Sequence, residues 1–178
     1  MRRLFAAAAL AGLIAGPALA ALKEGETAPQ FTANAFVGGK AFTFNLDAAL
    51  KKGPVVLYFF PAAFTKGCTI EAHEFADAAE QYQKLGATLI GITAGNTDRV
   101  GEFSSVECRS KFPVAADPGA KIAETYHSKM TAMPYSERTS YVIAPDGKVI
   151  LAYTEMSPDQ HVTKTLDAVK SWRSAHPM

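Results

Sequence analysis

The sequence predicts an α/β fold, a three-layer sandwich in which helices cover both faces of a central mixed β-sheet. Two β-rich runs, residues 55–60 and 87–93, are typical of buried strands, and the first is apolar throughout, as expected of a strand buried on both faces. A segment with helical spacing separates them, so we expect a right-handed parallel crossover. Near the end of the chain, two β-rich runs flank Pro145-Asp146-Gly147, which predicts an antiparallel hairpin over residues 138–153.

The start of the chain has the pattern of a cleaved signal peptide. Arg2 and Arg3 precede a short apolar segment, residues 4–14, and Ala18-Leu19-Ala20 is a small-x-small cleavage site. The apolar segment is too short to span a bilayer as a permanent helix. We therefore expect an exported, periplasmic protein that is cut after Ala20.

The remaining residues, 21–178, are predicted to form one domain with a sizeable core. Loss of Arg2 and Arg3 with the signal peptide, residues 1–20, changes the formal net charge from +1 to −1. A nearly neutral chain gives no electrostatic reason to expect binding to nucleic acid or to an anionic membrane. The domain has two cysteines, Cys68 and Cys108, and an exported protein can join them in a disulfide.

The first part of the domain is predicted to be loop-rich from Lys23 to Gly39. Gly38-Gly39 and the β-rich segment 41–44 predict a turn and a strand, which would be the second arm of a hairpin. A short helix over residues 46–50 is expected to follow, with Asn45 as its candidate cap.

The helix after the central strand carries a cysteine in its first turn. Pro61 lacks a backbone N–H, so the strand is expected to end there. Thr65 is a favourable N-cap, and the helical spacing continues to about Leu85, after which Gly86 is placed to end the helix. With Thr65 as the N-cap, Cys68 is the third helical residue, at the carboxyl end of a central strand.

That position favours a reactive thiolate at Cys68. Unpaired N–H groups of the first helical turn and the helix dipole both stabilise negative charge on the sulfur. The Thr65 hydroxyl lies within one turn and can donate a hydrogen bond, and Gly67 lets the backbone approach a small ligand. The alternative is that Cys68 is a small buried apolar residue, as free cysteines often are.

Four further elements complete the predicted sandwich. They are a helix that begins near Thr97 with Val100, Phe103 and Val106 inward, a short strand within 111–117, a short helix over 120–126, and a closing amphipathic helix over 158–172.

The segment Pro61-Ala-Ala-Phe-Thr65-Lys-Gly-Cys68 resembles the Pro-x-x-x-Thr-x-x-Cys signature of peroxiredoxins, members of the AhpC/TSA superfamily. The fuller run, residues 58–72, resembles the bacterioferritin-comigratory, or peroxiredoxin Q, branch, and the similarity extends from about Leu22 to about Trp172. The resemblance implies a thioredoxin-like fold with a peroxiredoxin N-terminal extension. It also implies that Cys68 is the peroxidatic cysteine and that Thr65 and Pro61 shape the peroxide pocket.

Arg138 is the candidate active-site arginine. It stands before Thr-Ser-Tyr-Val-Ile-Ala-Pro-Asp-Gly, which resembles the late motif of the same family. Its guanidinium would stabilise the Cys68 thiolate and hold peroxide oxygen with parallel donors. The alternative is a surface arginine at a strand end that pairs with Glu137 or with solvent.

Two more residues of the Cys68 helix could contribute. Glu71 is three residues after Cys68 and shares its helix face, so it could fix an arginine near the thiolate, or be an ordinary first-turn glutamate. His73 stands where part of the branch has a resolving cysteine, five residues after the peroxidatic one. That spacing turns His73 away from Cys68, and we interpret it as a solvated histidine on the helix face.

Cys108 is the remaining candidate resolving cysteine. Some members of the branch resolve from this later helix, although their cysteine aligns nearer Ser104. Cys108 could instead be unpaired in a one-cysteine enzyme, or form a permanent structural bridge with Cys68. Cys68, His73 and Cys108 match none of the usual zinc-ligand spacings, so no metal site is predicted.

The function that the resemblance implies is an exported thiol peroxidase without metal, haem or flavin. It would reduce hydrogen peroxide and organic hydroperoxides through a cysteine sulfenic acid and be reduced by a thioredoxin-like protein or another dithiol, as a monomer or a homodimer. Two alternatives remain. A thioredoxin-like disulfide oxidoreductase would need Cys-x-x-Cys, but position 65 is Thr. A non-catalytic periplasmic domain would leave Cys68 unreactive.

Overall fold

The structure, a computed structural model, describes residues 21–177. The predicted signal peptide, residues 1–20, lies outside the described residues. The strands are β1 (Thr32–Val37), β2 (Lys40–Asn45), β3 (Val55–Ala62), β4 (Thr88–Gly95), β5 (Val114–Ala116), β6 (Thr139–Ile143) and β7 (Val149–Thr154). The helices are α1 (Leu46–Leu50), α2 (Lys66–Lys84), a 3-10 turn (Thr97–Arg99), α3 (Val100–Val106), α4 (Lys121–Thr125) and α5 (His161–Ala175).

These strands form one seven-stranded mixed sheet in the order β2-β1-β5-β4-β3-β6-β7. β3 pairs in parallel with β4, and β4 with β5, whereas β6 and β7 form an antiparallel hairpin on the other side of β3. β1 and β2 form a second hairpin, which reaches the sheet through β5. The predicted α/β fold with a central mixed sheet and a parallel crossover is confirmed.

The central strand β3 is buried on both faces, as the apolar run predicts. Val55, Leu57 and Phe59 pack into one core, with α1 and α4. The alternating residues Val56, Tyr58 and Phe60 pack into the other, with α2, α3 and α5. Because successive side chains point to opposite faces of a sheet, the strand needs apolar residues at every position.

The prediction that Pro61 ends the central strand is wrong. β3 continues to Ala62, which pairs with Gly95 of β4, and the Ala63 N–H donates to the Gly95 carbonyl (3.2 Å). On the other side, β3 pairs with β6 only as far as Phe59, so no hydrogen bond to β6 requires a backbone N–H at Pro61. A proline is tolerated near a strand end, where one missing donor interrupts the ladder only locally.

Two further predictions need correction. The loop-rich segment 23–39 contains strand β1, which pairs with β2 on one side and β5 on the other. Val106 is not inward: its side chain is 56% exposed, because α3 ends there. Ser104 is buried instead, where its hydroxyl donates to the Gly101 carbonyl (2.8 Å) and accepts from the Gly39 N–H (3.1 Å).

Candidate active site

Cys68 occupies the first turn of α2, directly beyond the end of β3. Thr65 is the N-cap, with an extended backbone (φ −81°, ψ 151°), and Cys68 is the third helical residue, as predicted. Phe64 has a positive φ of 64°, a conformation that turns the chain sharply from strand to helix. The Asn96 amide donates to the Ala63 carbonyl (2.7 Å) and so ties this turn to the end of β4. Cys68 itself is 2% exposed.

The Thr65 side chain does not cap the helix. Its hydroxyl donates to the Ala62 carbonyl at 3.0 Å, and no side-chain hydrogen bond caps α2. Thr65 therefore begins the helix through its backbone conformation alone, and the residue is exposed. A helix start without a side-chain cap leaves first-turn N–H groups available to the sulfur or to a bound oxygen.

Arg138 is buried, and its guanidinium joins three parts of the fold. Nη2 donates to the Cys68 Sγ (3.6 Å), Nε donates to the Met156 carbonyl (2.9 Å), and Nη1 forms an ion pair with Glu71 Oε2. The interpretation of Arg138 as a surface arginine is wrong, since the residue is 3% exposed. A Cβ at position 67 would lie 3.1 Å from Nη2, so Gly67 leaves the space that the guanidinium fills.

Glu71 is fully buried, which excludes the alternative of an exposed first-turn glutamate. Burial raises the pKa of Glu71 to about 8, even though Arg138 opposes that change. For Arg138, burial acts to lower the pKa, but the negative groups Glu71 and Cys68 outweigh it, so the guanidinium stays charged. Glu71 is therefore positioned to hold the Arg138 guanidinium beside the Cys68 sulfur.

His161, at the start of α5, belongs to the same buried region and was not predicted. Its Nδ1 lies 2.8 Å from the Ser140 hydroxyl, and its Nε2 lies 2.8 Å from the Glu155 carbonyl. Burial lowers the pKa of His161 to about 4. The one sequence signal for a buried His161 is its spacing: His161 and Thr165 are four residues apart, and each is next to a residue predicted to be inward in the closing helix. Both residues are buried in the structure.

Cys108 is buried and not disulfide-bonded in this structure, and the same is true of Cys68. Both cysteines belong to one apolar cluster on the α2 side of the sheet. Burial raises the pKa of the Cys108 thiol well above its usual range, so this thiol is protonated at neutral pH. The next two residues, Arg109 and Ser110, have positive φ values of 50° and 56°, which strain the chain after α3.

Two charged contacts hold the Cys108 segment against α2. His73 Nε2 lies 2.7 Å from Glu107 Oε2, and Arg109 Nη1 lies 2.5 Å from Asp77 Oδ1. The side chain of His73 is 39% exposed on the face of α2, in line with a solvated histidine, and it also contacts Glu107, the residue before Cys108. Within residues 21–177, no group of three or more His, Cys, Asp and Glu side chains could hold a metal ion. No helix in that range is long and apolar enough to span a membrane.

Comparison with known proteins agrees with this site. The model of the AhpC/TSA family matches residues 25–152. A Mycobacterium tuberculosis protein named as a peroxiredoxin is 35% identical over 134 residues, which cover 72% of this chain and 86% of that protein. The chloroplastic peroxiredoxin Q of Sedum lineare is 30% identical over 156 residues, 85% of this chain and 80% of that protein.

Solved structures show the same relationship. The crystal structure of peroxidoxin BcpB from Mycobacterium tuberculosis has a TM-score of 0.76 and 30% identity, and covers 84% of this chain and 97% of that chain. Mycobacterium tuberculosis AhpC has the same TM-score at 15% identity, covering 89% and 97% of the two chains, which shows a common fold. The chain therefore belongs to the AhpC/TSA family, and it is a peroxiredoxin, a thiol peroxidase with a thioredoxin-like fold.

Proposed function

We propose that Cys68 is the peroxidatic cysteine and that its thiolate attacks one oxygen of a bound peroxide. The observation that carries this assignment is the buried Arg138 guanidinium, 3.6 Å from the Cys68 sulfur at the start of α2. An S–O bond forms as the O–O bond breaks, so the sulfur is oxidised to a sulfenic acid. The second oxygen takes up a proton and leaves as water from hydrogen peroxide or as an alcohol from an organic hydroperoxide.

Arg138 stabilises the anionic sulfur and the negative charge that develops on the departing oxygen. Its donors are fixed before peroxide binds, because Glu71 and the Met156 carbonyl hold the guanidinium on two other sides. Thr65 and Pro61 line the turn through which peroxide reaches Cys68. The Thr65 hydroxyl can exchange its bond with Ala62 for one with a peroxide oxygen.

Cys108 resolves the sulfenic acid in a second step. Its thiol attacks the Cys68 sulfur, an S–S bond forms, and water leaves, so both cysteines end in one disulfide. A buried, protonated Cys108 cannot do this in place, so the segment from Thr97 to Cys108 opens locally. Arg109 and Ser110, the two left-handed residues directly after this segment, each cost about 1–2 kcal/mol, which the opening recovers where it extends to them.

The cycle closes when an external dithiol, a thioredoxin-like protein or another dithiol, reduces the disulfide. The predicted signal peptide, cut after Ala20, supports a periplasmic location for this chemistry, where that dithiol must also be available. The enzyme works as a monomer or a homodimer.

The test is hydrogen peroxide consumption by the purified protein with dithiothreitol as reductant. We expect the wild type to consume peroxide and Cys68→Ser to be inactive. Cys108→Ser is the matched control, because it retains the first step. Mass spectrometry after one equivalent of peroxide should show the loss of two hydrogens in the wild type and a sulfenic acid in Cys108→Ser. Activity of Cys68→Ser would overturn the assignment of the nucleophile, and a wild type without the disulfide would overturn that of the resolving cysteine.

A further inference from the structure

A buried polar cluster lies beside Arg138, formed by Glu71, Ser140 and His161. The three side chains come from α2, β6 and the start of α5, and all are fully buried. Glu71 has a part in the proposed reaction through Arg138. Nothing in that reaction uses His161, although a buried histidine is costly unless its ring nitrogens are satisfied.

The hydrogen bonds of His161 fix one of its protons. Nε2 lies 2.8 Å from the Glu155 carbonyl oxygen, which can only accept, so Nε2 carries a proton. Nδ1 lies 2.8 Å from the Ser140 hydroxyl, which can donate to a bare nitrogen or accept from a protonated one. The protonation of Nδ1 therefore depends on what else faces it.

The other group that faces Nδ1 is Glu71. Its Oε2 binds Arg138, but its Oε1 is buried without a hydrogen-bond partner among the described residues and lies 3.8 Å from Nδ1. An ionised carboxylate oxygen beside an unprotonated ring nitrogen would place two acceptors together with no donor between them, and Glu71 Oε1 would stay unpaired even if Ser140 donates to the ring. That arrangement is expensive in a site without water. One proton, on either Glu71 or Nδ1, removes the mismatch.

We propose that Glu71 and His161 hold one proton between them at neutral pH, and that His161 is thereby a positioning residue of the peroxidase site. The pair is then electrically neutral. Arg138 keeps its hydrogen bond to Glu71, and so its orientation, while its positive charge remains directed to the Cys68 sulfur. This inference rests on the proposed roles of Cys68 and Arg138.

Burial of both side chains favours the proton on Glu71, although the positive charge of Arg138 opposes it there. Burial raises the pKa of Glu71 to about 8 and lowers the pKa of His161 to about 4. The other titratable or charged groups that face the pair are Cys68 and Glu74 on α2, Tyr58 on β3, Arg138 before β6, Tyr153 on β7 with Lys164 above its ring, and Glu155 before α5. The Glu155 carboxylate accepts from the Met156 N–H (2.8 Å), which keeps it turned to its own loop.

The proposal predicts a specific pH dependence of the first step. Above a pH of about 8, Glu71 ionises and competes with the Cys68 sulfur for the charge of Arg138. The second-order rate constant with peroxide should therefore fall as the pH rises through this value. In Glu71→Gln the side chain is neutral at every pH, so this fall should be absent, whatever the variant's absolute rate.

The direct test is infrared difference spectroscopy of the reduced protein, wild type minus Glu71→Gln, on both sides of pH 8. We expect the carbonyl band of a protonated carboxylic acid at neutral pH and its loss at higher pH. Glu74→Gln, one turn along α2, is the matched control and should keep the band. Nitrogen-15 spectra of His161 should show a neutral ring protonated at Nε2. An imidazolium with an ionised Glu71 would also support one shared proton. An ionised Glu71 beside a neutral ring at neutral pH would overturn the proposal.

The part played by His161 is tested with His161→Gln. Without the facing ring nitrogen, an ionised Glu71 no longer meets a second acceptor, so ionisation becomes less unfavourable and the alkaline fall in rate should move to lower pH. Thr165→Val, one turn along α5, perturbs the same helix and should keep the wild-type pH profile. An unmoved profile in His161→Gln would refute the role of His161. Cys68→Ser should keep the infrared band without activity, so a failure of the proposed function is distinguished from a failure of the proton pair.

Discussion

Replacing Arg138 by lysine separates the shape of the guanidinium from its charge. The arginine donates to the Cys68 Sγ at 3.6 Å and to the Met156 carbonyl at 2.9 Å while it binds Glu71. A lysine ammonium is a single donor centre on a flexible chain and cannot reproduce this fork. A hydrogen bond to a charged group contributes about 1.5–3 kcal/mol. Loss of the bond to the sulfur should therefore lower the second-order rate constant with peroxide about 10- to 100-fold.

The assay is stopped-flow consumption of hydrogen peroxide by the pre-reduced protein, with a thermal melt of each variant. The matched control is Arg99→Lys, because Arg99 lies 3.9 Å above the ring of Phe64 in the turn before α2 and pairs with Glu102. We expect the control to react within about twofold of the wild type, since exposed charge pairs contribute little. A folded Arg138→Lys that reacts as fast as the wild type would refute the argument that the guanidinium geometry matters.

Three other perturbations have defined outcomes. Thr65→Val should slow peroxide reduction about fivefold, the effect of one hydrogen bond of about 1 kcal/mol, and an unchanged rate constant would exclude a catalytic role for its hydroxyl. Tyr58→Phe removes a buried hydroxyl that has no partner among the described residues, so urea unfolding should show a gain of about 1 kcal/mol in stability; a loss would reveal a hidden partner. Glu71 has a pKa of about 8 when folded against a usual value of 4.5, so it stabilises the fold fully at low pH and loses that contribution as the pH rises. His161, with a folded pKa of about 4 against 6.5, loses its contribution as the pH falls. Between pH 4.5 and pH 6.5 the two changes oppose and offset each other. Above pH 6.5 only the change at Glu71 continues, so the wild type should lose about 2 kcal/mol of unfolding free energy from pH 6.5 to about 8. Denaturation at each pH should show no such loss in Glu71→Gln.

The parts of the fold that the sequence predicts are those with local causes. The apolar run of β3 and the helical spacing of α2 each need only neighbouring residues to be recognised. The cap of α1 is also local: Asn45 Oδ1 accepts from the Ala48 N–H (2.8 Å). Strand β1 is harder to recognise, because Thr-Ala-Asn-Ala-Phe-Val alternates between polar and apolar residues only over its first four positions, and its small alanines favour strands weakly. It is a strand because β2 and β5 pair with it from both sides, and this context is tertiary.

The same distinction applies to the site. The position of Cys68 follows from the strand and helix around it, and the motif resemblance supplies Arg138. The spacing of Glu71 fits both an exposed and a buried side chain, and its burial against Arg138 and His161 depends on residues far away in the sequence. His161 escaped prediction because its partners Ser140 and Glu71 are far away in the sequence. No periodicity within one helix reports such a contact.

The two contacts that hold the Cys108 segment against α2 have a consequence for inactivation. His73 and Arg109 are partly exposed, so ionic strength acts on their pairs with Glu107 and Asp77 far more than on the buried Arg138. If these pairs release slowly, a sulfenic acid at Cys68 remains long enough for a second peroxide to oxidise it irreversibly to the sulfinic acid. Two weak ion pairs on the surface of α2 would then set the peroxide concentration that the enzyme survives. The buried charge of Arg138 would set the rate of the first step, the attack of Cys68 on peroxide.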